Sequence, residues 1–285
     1  MAYYPDTVNI VLDKSEVIDL KNWFSEYVET FSSDDKELQQ NIDLKKRHTK
    51  RVCNDILKIG RQLGLSEEAM NLAETIALFH DVGRFEQYSR YRTFSDRLSE
   101  DHAELGIRIL NQSLVLDKLD HETGELIRCA IRSHNKPSLP SGKSETCLFF
   151  IKLLRDADKL DIWRIVIGYY YRKNGKRNDS LTLDLPDTPG ISAEVYSDLM
   201  NNRTVNLKNV RNLNDFKLLQ TGWIFDINFS PTLEYIKRYR YLEKIRDVMT
   251  ETDEISEIFG KIIQYRDEKE FDAVAPALGG TSLSN

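Results

Sequence analysis

The chain has 285 residues, of which 40% are hydrophobic and 30% charged, and its formal net charge is −6 at pH 7. This is the balance of an ordinary globular protein. Its longest apolar stretches, at 148–151 and 165–167, are too short to span a bilayer. The acidic excess argues against nucleic acid as a partner, because phosphate backbones are bound by clustered Lys and Arg. No signal peptide is recognisable at the N-terminus, so we expect a cytoplasmic protein.

The three cysteines, Cys53, Cys129 and Cys147, are odd in number and widely spaced. This pattern indicates neither a disulfide framework nor a CxxC metal site. We therefore interpret all three as small, buried hydrophobic residues.

Apolar residues repeat at helical spacing through most of the first 170 residues. Val52, Ile56, Ile59 and Leu63, for example, follow one another in steps of four, three and four, which places them on one face of a helix. The third predicted helix starts at Ser66 and ends at Val82-Gly83. The predicted helices cover 15–31, 41–64, 66–82, 101–110, 121–134 and 146–167.

The character of the sequence changes after residue 172, where Pro186, Pro189 and Gly190 mark a loop. Two later helices are predicted at 232–249 and 253–266. We predict an all-α fold, in which a helical bundle is followed by a smaller C-terminal helical subregion. The predicted parts are an N-terminal segment packed on the core (1–40), the bundle (41–170), the subregion (171–270) and a disordered tail (271–285).

Four of the five histidines lie in or at the ends of successive predicted helices. Each is separated from the next by about one helix and one connection, so antiparallel helices could point them into a shared interior. Imidazole nitrogens and carboxylate oxygens suit borderline and hard divalent metals. These four histidines are joined by two aspartates, so that the candidate metal ligands are His48, His80, Asp81, His102, His134 and Asp158. The fifth histidine, His121, lies in a polar helix start and is predicted to be exposed.

This arrangement resembles the H…HD…D signature of the HD superfamily of metal-dependent phosphohydrolases. His80-Asp81-Val82-Gly83 is similar to the superfamily's HD-hydrophobic-Gly turn, and His102 and His134 resemble the extra ligands of its binuclear members. The segments 101–106 and 156–160 are similar to the third-histidine helix and the closing helix of such domains. The resemblance covers roughly residues 45–165.

The resemblance implies a helical bundle that holds one or two divalent ions (Mn, Fe, Co, Zn, Ni or Mg). One ion would be bound by His48, His80, Asp81 and Asp158, and the other by Asp81, His102 and His134, with Asp81 as the bridge. The implied activity is hydrolysis of a phosphomonoester or phosphodiester, with a nucleotide-like substrate as one option, by a metal-activated hydroxide.

Candidate substrate contacts follow the HD turn. Many members of the superfamily carry Lys where this chain has Arg84, and Arg cannot serve as a proton donor but can grip a phosphate with two parallel hydrogen bonds. Arg84 is therefore predicted to bind substrate and to act in catalysis, and Arg92 to bind substrate. Lys159, beside Asp158, is predicted to reach the phosphate and to take part in catalysis. Asp161 is either a hydrogen-bond partner of a ligand histidine or a surface carboxylate.

Two alternative functions remain open at this stage. Related HD folds with four histidines and two aspartates can bind two irons and activate oxygen, so a di-iron oxygenase is one alternative. The other is a non-catalytic, nucleotide-binding regulatory module. The expected partner is a small phosphorylated molecule rather than a membrane, and homo-oligomer formation is left open.

Overall fold

The computed structural model describes residues 12–171, 182–183 and 185–278, and it is all-helical in these ranges. The chain divides into two compact units, Met1–Asp161 and Ile162–Asn285. None of the helices in the described ranges is long and apolar enough to cross a membrane.

Among its described residues the first unit contains seven α-helices, the last of which continues past its boundary. They are α1 (Lys14–Glu29), α2 (Lys36–Gln62), α3 (Glu67–Phe79), α4 (Gly83–Tyr91), α5 (His102–Ser113), α6 (His121–Ser133) and α7 (Glu145–Tyr170).

Side-chain caps determine where the early helices begin. The carboxylate of Asp13 caps α1 by accepting hydrogen bonds from the backbone N–H groups of Ser15 and Glu16. Asp35 caps α2 in the same way, so this helix begins at Lys36 instead of the predicted residue 41. Such caps satisfy backbone donors that have no partner within the helix.

The core of the first unit forms where α3 packs against α1, α2 and α6. α3 lies in the middle of this bundle, and its residues Leu72, Ala73 and Ile76 are completely buried. The N-terminal segment packs on the same core, since the rings of Trp23 and Phe79 are 5.7 Å apart.

The largest difference from the predicted helices lies after the HD pair. α3 ends at Phe79, His80 to Val82 form a turn, and a further helix, α4, which the sequence did not predict, contains Arg84. Gly83 was predicted to lie at the end of α3, but it is the first residue of α4. α4 packs against α2 and α5, which brings the turn at 80–82 close to both.

The second unit contains five further α-helices in the described ranges: α8 (Ala193–Met200), α9 (Leu213–Gly222), α10 (Ser230–Tyr239), α11 (Tyr241–Arg246) and α12 (Asp253–Leu278). α12 packs against α8, α10 and α11. The helix predicted at 232–249 is interrupted at Arg240, whose φ of 54° is left-handed. The turn allows Tyr241 and Leu242 to be buried, and this burial offsets the cost of the unfavourable φ.

α12 is longer than the helix predicted at 253–266. Its backbone continues to Leu278 and so includes residues 271–278, which we had predicted to belong to a disordered tail. Three of these eight residues are Ala, a strong helix former. Residues 279–285 lie outside the described residues.

Candidate metal centre

Four buried histidines meet in the first unit, each from a different helix. His48 lies in the middle of α2, His80 follows the last residue of α3, His102 opens α5, and His134 follows the last residue of α6. None is more than 7% exposed. Helix ends thus supply three of the four rings, and His121 lies apart from them with an exposed side chain.

The Nδ1 atom of each of these rings already has a hydrogen-bond partner. In His80 and His134 it lies 2.7 Å from a backbone carbonyl oxygen three residues earlier in the chain. In His48 and His102 it lies 2.7 Å from a carboxylate oxygen, that of Asp161 and Asp96 respectively. A carbonyl can only accept, so Nδ1 carries the proton in His80 and His134, and the Nε2 lone pair of the neutral ring is left available.

The four Nε2 atoms form two close pairs. The Nε2 atoms of His48 and His80 are 3.2 Å apart, and those of His102 and His134 are 3.1 Å apart. Asp158 joins the first pair, with its Oδ1 atom 3.1 Å from His48 Nε2 and 3.7 Å from His80 Nε2.

Asp81 lies between the two pairs and turns one oxygen toward each. Its Oδ2 atom is 3.4 Å from His48 Nε2 and 3.6 Å from His80 Nε2. Its Oδ1 atom is 3.4 Å from His102 Nε2 and 3.9 Å from His134 Nε2. The structure therefore brings all six predicted residues together in two groups, each of which could hold a metal ion: His48, His80 and Asp158 in one, and Asp81, His102 and His134 in the other.

The charge states of Asp81, Asp158 and His134 suit metal binding. Burial opposes ionisation of Asp81, but Lys45, His80 and His48 outweigh it and hold the pKa of Asp81 well below its usual range. Burial also opposes ionisation of Asp158, but hydrogen bonds with His48 and His80 hold the pKa of Asp158 well below its usual range. Burial, together with His102 and His80, lowers the pKa of His134 to about 3. At neutral pH both carboxylates are thus ionised and His134 is neutral, which are the forms that bind metals.

His48 differs from His134 in its surroundings. Burial and Lys45 disfavour its protonated form, but hydrogen bonds to Asp158, Asp161 and Asp81 raise the pKa of His48 to about 10. Asp161 is completely buried and also receives hydrogen bonds from Arg51 Nε and Nη2, at 2.6 and 3.0 Å. The sequence left open whether Asp161 is a surface carboxylate or a hydrogen-bond partner of a ligand histidine. The structure supports the second interpretation, because Asp161 contacts His48.

Two basic side chains border Asp81. The ammonium nitrogen of Lys45 is 2.7 Å from Asp81 Oδ2 and 5.2 Å from the centre of the Phe94 ring. Arg84 Nη1 donates hydrogen bonds to the carbonyl of Phe94 and to Asp96 Oδ1, at 2.6 and 2.8 Å. Arg84 Nε lies 3.5 Å from Asp81 Oδ1 but is buried without a hydrogen-bond partner. Hydrogen bonds from Nη1 thus hold the Arg84 guanidinium beside the Asp81 carboxylate, which lies between the two ligand groups.

The other two predicted contacts lie differently. Arg92 is the left-handed residue that ends α4, and its Nη1 atom is 2.8 Å from Asp35 Oδ2 in a pair that is about half exposed. Lys159 is buried on α7, and its ammonium nitrogen is 3.4 Å from the carbonyl oxygen of Arg155. A role of either residue in substrate binding stays a prediction.

Sequence reasoning missed Lys45 and Asp96. Lys45 could have been found, because it lies three residues before His48 and so near the same face of a helix. Asp96 lies in the connection between α4 and α5, where no periodicity relates it to His102. Only the folded chain brings its carboxylate to the ring of His102.

Comparison with known protein families agrees with this geometry. The family model described as "HD domain" matches residues 46–163, a range that includes all six clustered residues. No curated protein and no solved structure matched the chain in parallel comparisons. The all-helical fold, the His-Asp cluster and the family match lead to one conclusion: this chain contains an HD domain, which spans residues 46–163.

Proposed function

We propose that the protein is a metal-dependent phosphohydrolase, which cleaves a phosphomonoester or phosphodiester at a centre of two divalent ions. HD domains are mostly metal-dependent phosphohydrolases. The observation that carries the proposal is the position of Asp81, whose two oxygens face two different groups of ligand atoms. A carboxylate so placed can give one oxygen to each of two ions.

The distances among the ligand atoms fit this proposal. Two ligand atoms that bind the same ion at about 2.0–2.2 Å lie roughly 2.8–3.6 Å apart, provided that the ligand–ion–ligand angle lies between a right angle and the tetrahedral angle. The Nε2 atoms within each pair are 3.2 and 3.1 Å apart, and those of His48 and His102 lie 3.4 Å from their respective oxygens of Asp81. The first ion would be held by His48, His80, Asp81 and Asp158, and the second by Asp81, His102 and His134.

When bound, two divalent ions would supply an activated water and would neutralise charge on phosphoryl oxygens. The chain itself orients the ligands, because every ring is held through Nδ1 and cannot turn without losing a buried hydrogen bond. Burial of the histidines excludes water and so strengthens the electrostatic interactions at the centre.

Arg84 is the residue we propose to bind the phosphate. Its Nη1 atom is occupied by protein acceptors, whereas no described residue accepts a hydrogen bond from its Nη2 atom, and the side chain is 15% exposed. A guanidinium that is anchored from one side can present its remaining N–H groups to an anion. Lys45 adds a second positive charge beside Asp81, which favours a small, anionic substrate.

The test combines metal content with activity. The full chain is loaded separately with Mn, Fe, Co, Zn, Ni and Mg and assayed against nucleotides, other phosphomonoesters and phosphodiesters. We expect turnover with at least one metal and two ions per chain at saturation. Asp81→Ala should abolish turnover and reduce the metal content, whereas His121→Ala, which removes the exposed histidine, should leave both unchanged.

Other outcomes would contradict the proposal. Undiminished turnover by Asp81→Ala would exclude Asp81 as the bridge. Substrate-dependent oxygen uptake by the iron-loaded chain, without phosphate release, would indicate an oxygenase. Tight nucleotide binding without turnover under any metal would indicate a regulatory module.

A further inference from the structure

Two cysteines that play no part in the metal centre lie side by side. Cys129 is on α6 and Cys147 is near the start of α7. Their Sγ atoms are 2.9 Å apart, with the thiol of Cys147 donating to the sulfur of Cys129. Both are free thiols, and a disulfide bond would need these atoms to approach to about 2.05 Å. Cys129 is only partly buried, which corrects our interpretation of all three cysteines as buried hydrophobic residues.

The surroundings of the two thiols are unequal. The hydrogen bond from Cys147, together with Lys143, Ser133 and Arg132, lowers the pKa of Cys129 to about 6, although its partial burial opposes this. The same hydrogen bond and burial raise the pKa of Cys147. Cys129 is therefore the thiolate of the pair near neutral pH, and Cys147 remains protonated beside it.

We propose that Cys129 and Cys147 form a peroxide-sensitive site, at which a hydroperoxide oxidises the two thiols to a reversible disulfide between α6 and α7. The proposal rests on the contact between the two sulfur atoms and on the access of solvent to Cys129. It is independent of the reaction at the metal centre.

The chemistry balances in two steps. The Cys129 thiolate attacks one oxygen of hydrogen peroxide, so that an S–O bond forms, the O–O bond breaks, and hydroxide leaves and takes up a proton to become water. The product is a sulfenic acid at Cys129. The sulfur of Cys147 then attacks that of Cys129, so that the S–S bond forms, the S–O bond breaks and a second water leaves with the Cys147 proton. Each sulfur gives up one electron, and the peroxide accepts both.

Cys53 provides a control within the same chain. It is buried on α2, and its Sγ atom lies 3.8 Å from the carbonyl oxygen of Glu74 rather than near another sulfur. Burial, with the negative charge of Glu74, raises the pKa of Cys53 to about 12. Cys53 should therefore stay reduced under conditions that oxidise the pair.

The experiment follows each cysteine by mass spectrometry. The full chain, with and without prior EDTA treatment to exclude metal-derived radicals, is exposed to hydrogen peroxide. It is then denatured in N-ethylmaleimide and digested with trypsin without reductant. We expect the peptide 129–132 linked to the peptide 144–152, with a mass two hydrogens below their sum, and the peptide 52–58 carrying the label on Cys53. Dithiothreitol should release the linked peptides.

Single variants distinguish Cys129, which reacts with the peroxide, from Cys147, which then forms the disulfide. Cys147→Ser should stop at a sulfenic acid on Cys129 that dimedone traps, Cys129→Ser should yield neither product, and Cys53→Ser should form the cross-link as the wild type does. As a second readout on the wild type, the disulfide closes a loop and should raise the thermal midpoint.

Three results would overturn the proposal: oxidation of Cys53 as fast as that of Cys129, a sulfinic acid on Cys129 of the wild type without any cross-link, or a dimedone adduct that forms first on Cys147. Because the wild type shows the cross-link by itself, a variant that fails to fold does not remove the test.

Discussion

At the scale of single residues, the two ligand groups share one pattern of hydrogen bonds. Each contains one histidine whose Nδ1 atom faces a carboxylate, His48 or His102, and one whose Nδ1 atom faces a backbone carbonyl, His80 or His134. A carboxylate partner makes the ring a stronger electron donor than a carbonyl does. Each proposed ion would therefore be bound by one stronger and one weaker imidazole donor.

Arg84 and Arg90, which both lie on α4, offer a matched pair of substitutions. Arg84→Gln should lower kcat/KM for a phosphate ester about 10- to 100-fold, because a hydrogen bond to a charged group contributes roughly 1.5–3 kcal/mol. Arg90→Gln should change it less than about threefold, since an exposed pair such as that with Glu86 contributes little. Steady-state kinetics would measure both, with thermal midpoints to show that each variant is folded. An equal loss in the two variants would contradict the distinction.

The pH dependence of thiol alkylation follows from the unequal cysteines. Only the thiolate attacks iodoacetamide, so a lowered pKa shifts reactivity to lower pH. The rate at Cys129, whose pKa is lowered to about 6, should reach half its maximum near that pH and level off above it. Cys53, whose pKa is raised to about 12, should remain unreactive up to about pH 10. Quantitative mass spectrometry across pH measures both rates; coincident profiles would refute the expectation.

At the scale of elements, the approach of α4 to α5 depends on glycine. A Cβ atom added to Gly83 would lie 2.2 Å from the carbonyl oxygen of His102 and 2.7 Å from the backbone nitrogen of Gly106. Both neighbours are backbone atoms, which cannot rotate away. Because Gly83 follows the HD turn and His102 is a proposed ligand, this contact sets the distance between the two ligand groups.

Gly83→Ala should therefore reduce both stability and metal content. Overpacking of this kind typically costs about 1–3 kcal/mol, and the forced shift would displace His102. Gly260→Ala is the control, because an added Cβ there meets nothing within 4 Å, and Ala in an exposed helix should stabilise it by about 0.5–1 kcal/mol. Urea unfolding and elemental analysis would test both variants. Equal stability of the two would show that α4 and α5 can separate without cost.

At the scale of the whole molecule, all six proposed ligands lie in the first of the two units. α2, α3, α5, α6 and α7 each contribute, so the centre exists only when that unit is folded. An ion that binds the folded chain alone stabilises it by mass action.

Addition of a binding metal should accordingly raise the thermal midpoint, and EDTA should reverse the change. At a free metal concentration about 100 times the dissociation constant, the stabilisation is about 2.7 kcal/mol. His102→Ala should reduce this shift and His121→Ala should preserve it, as measured by calorimetry. A midpoint that does not respond to any of the six metals would argue against a metal centre.

The sequence alone determined the helical class, the HD domain and the six residues that cluster. Helical periodicity reflects burial of one face, and it can be read without knowing the fold. The spacing of His48, His80, His102 and His134 by whole helices predicted their convergence for the same reason.

The tertiary structure alone decided which further groups surround those residues. Asp96 reaches His102 and Cys147 reaches Cys129 across helices or connections with no shared periodicity. The break at Arg240 likewise depends on what the next turn buries. Such contacts are set by how helices pack, and packing depends on the complementarity of whole surfaces, to which no local pattern in the sequence corresponds.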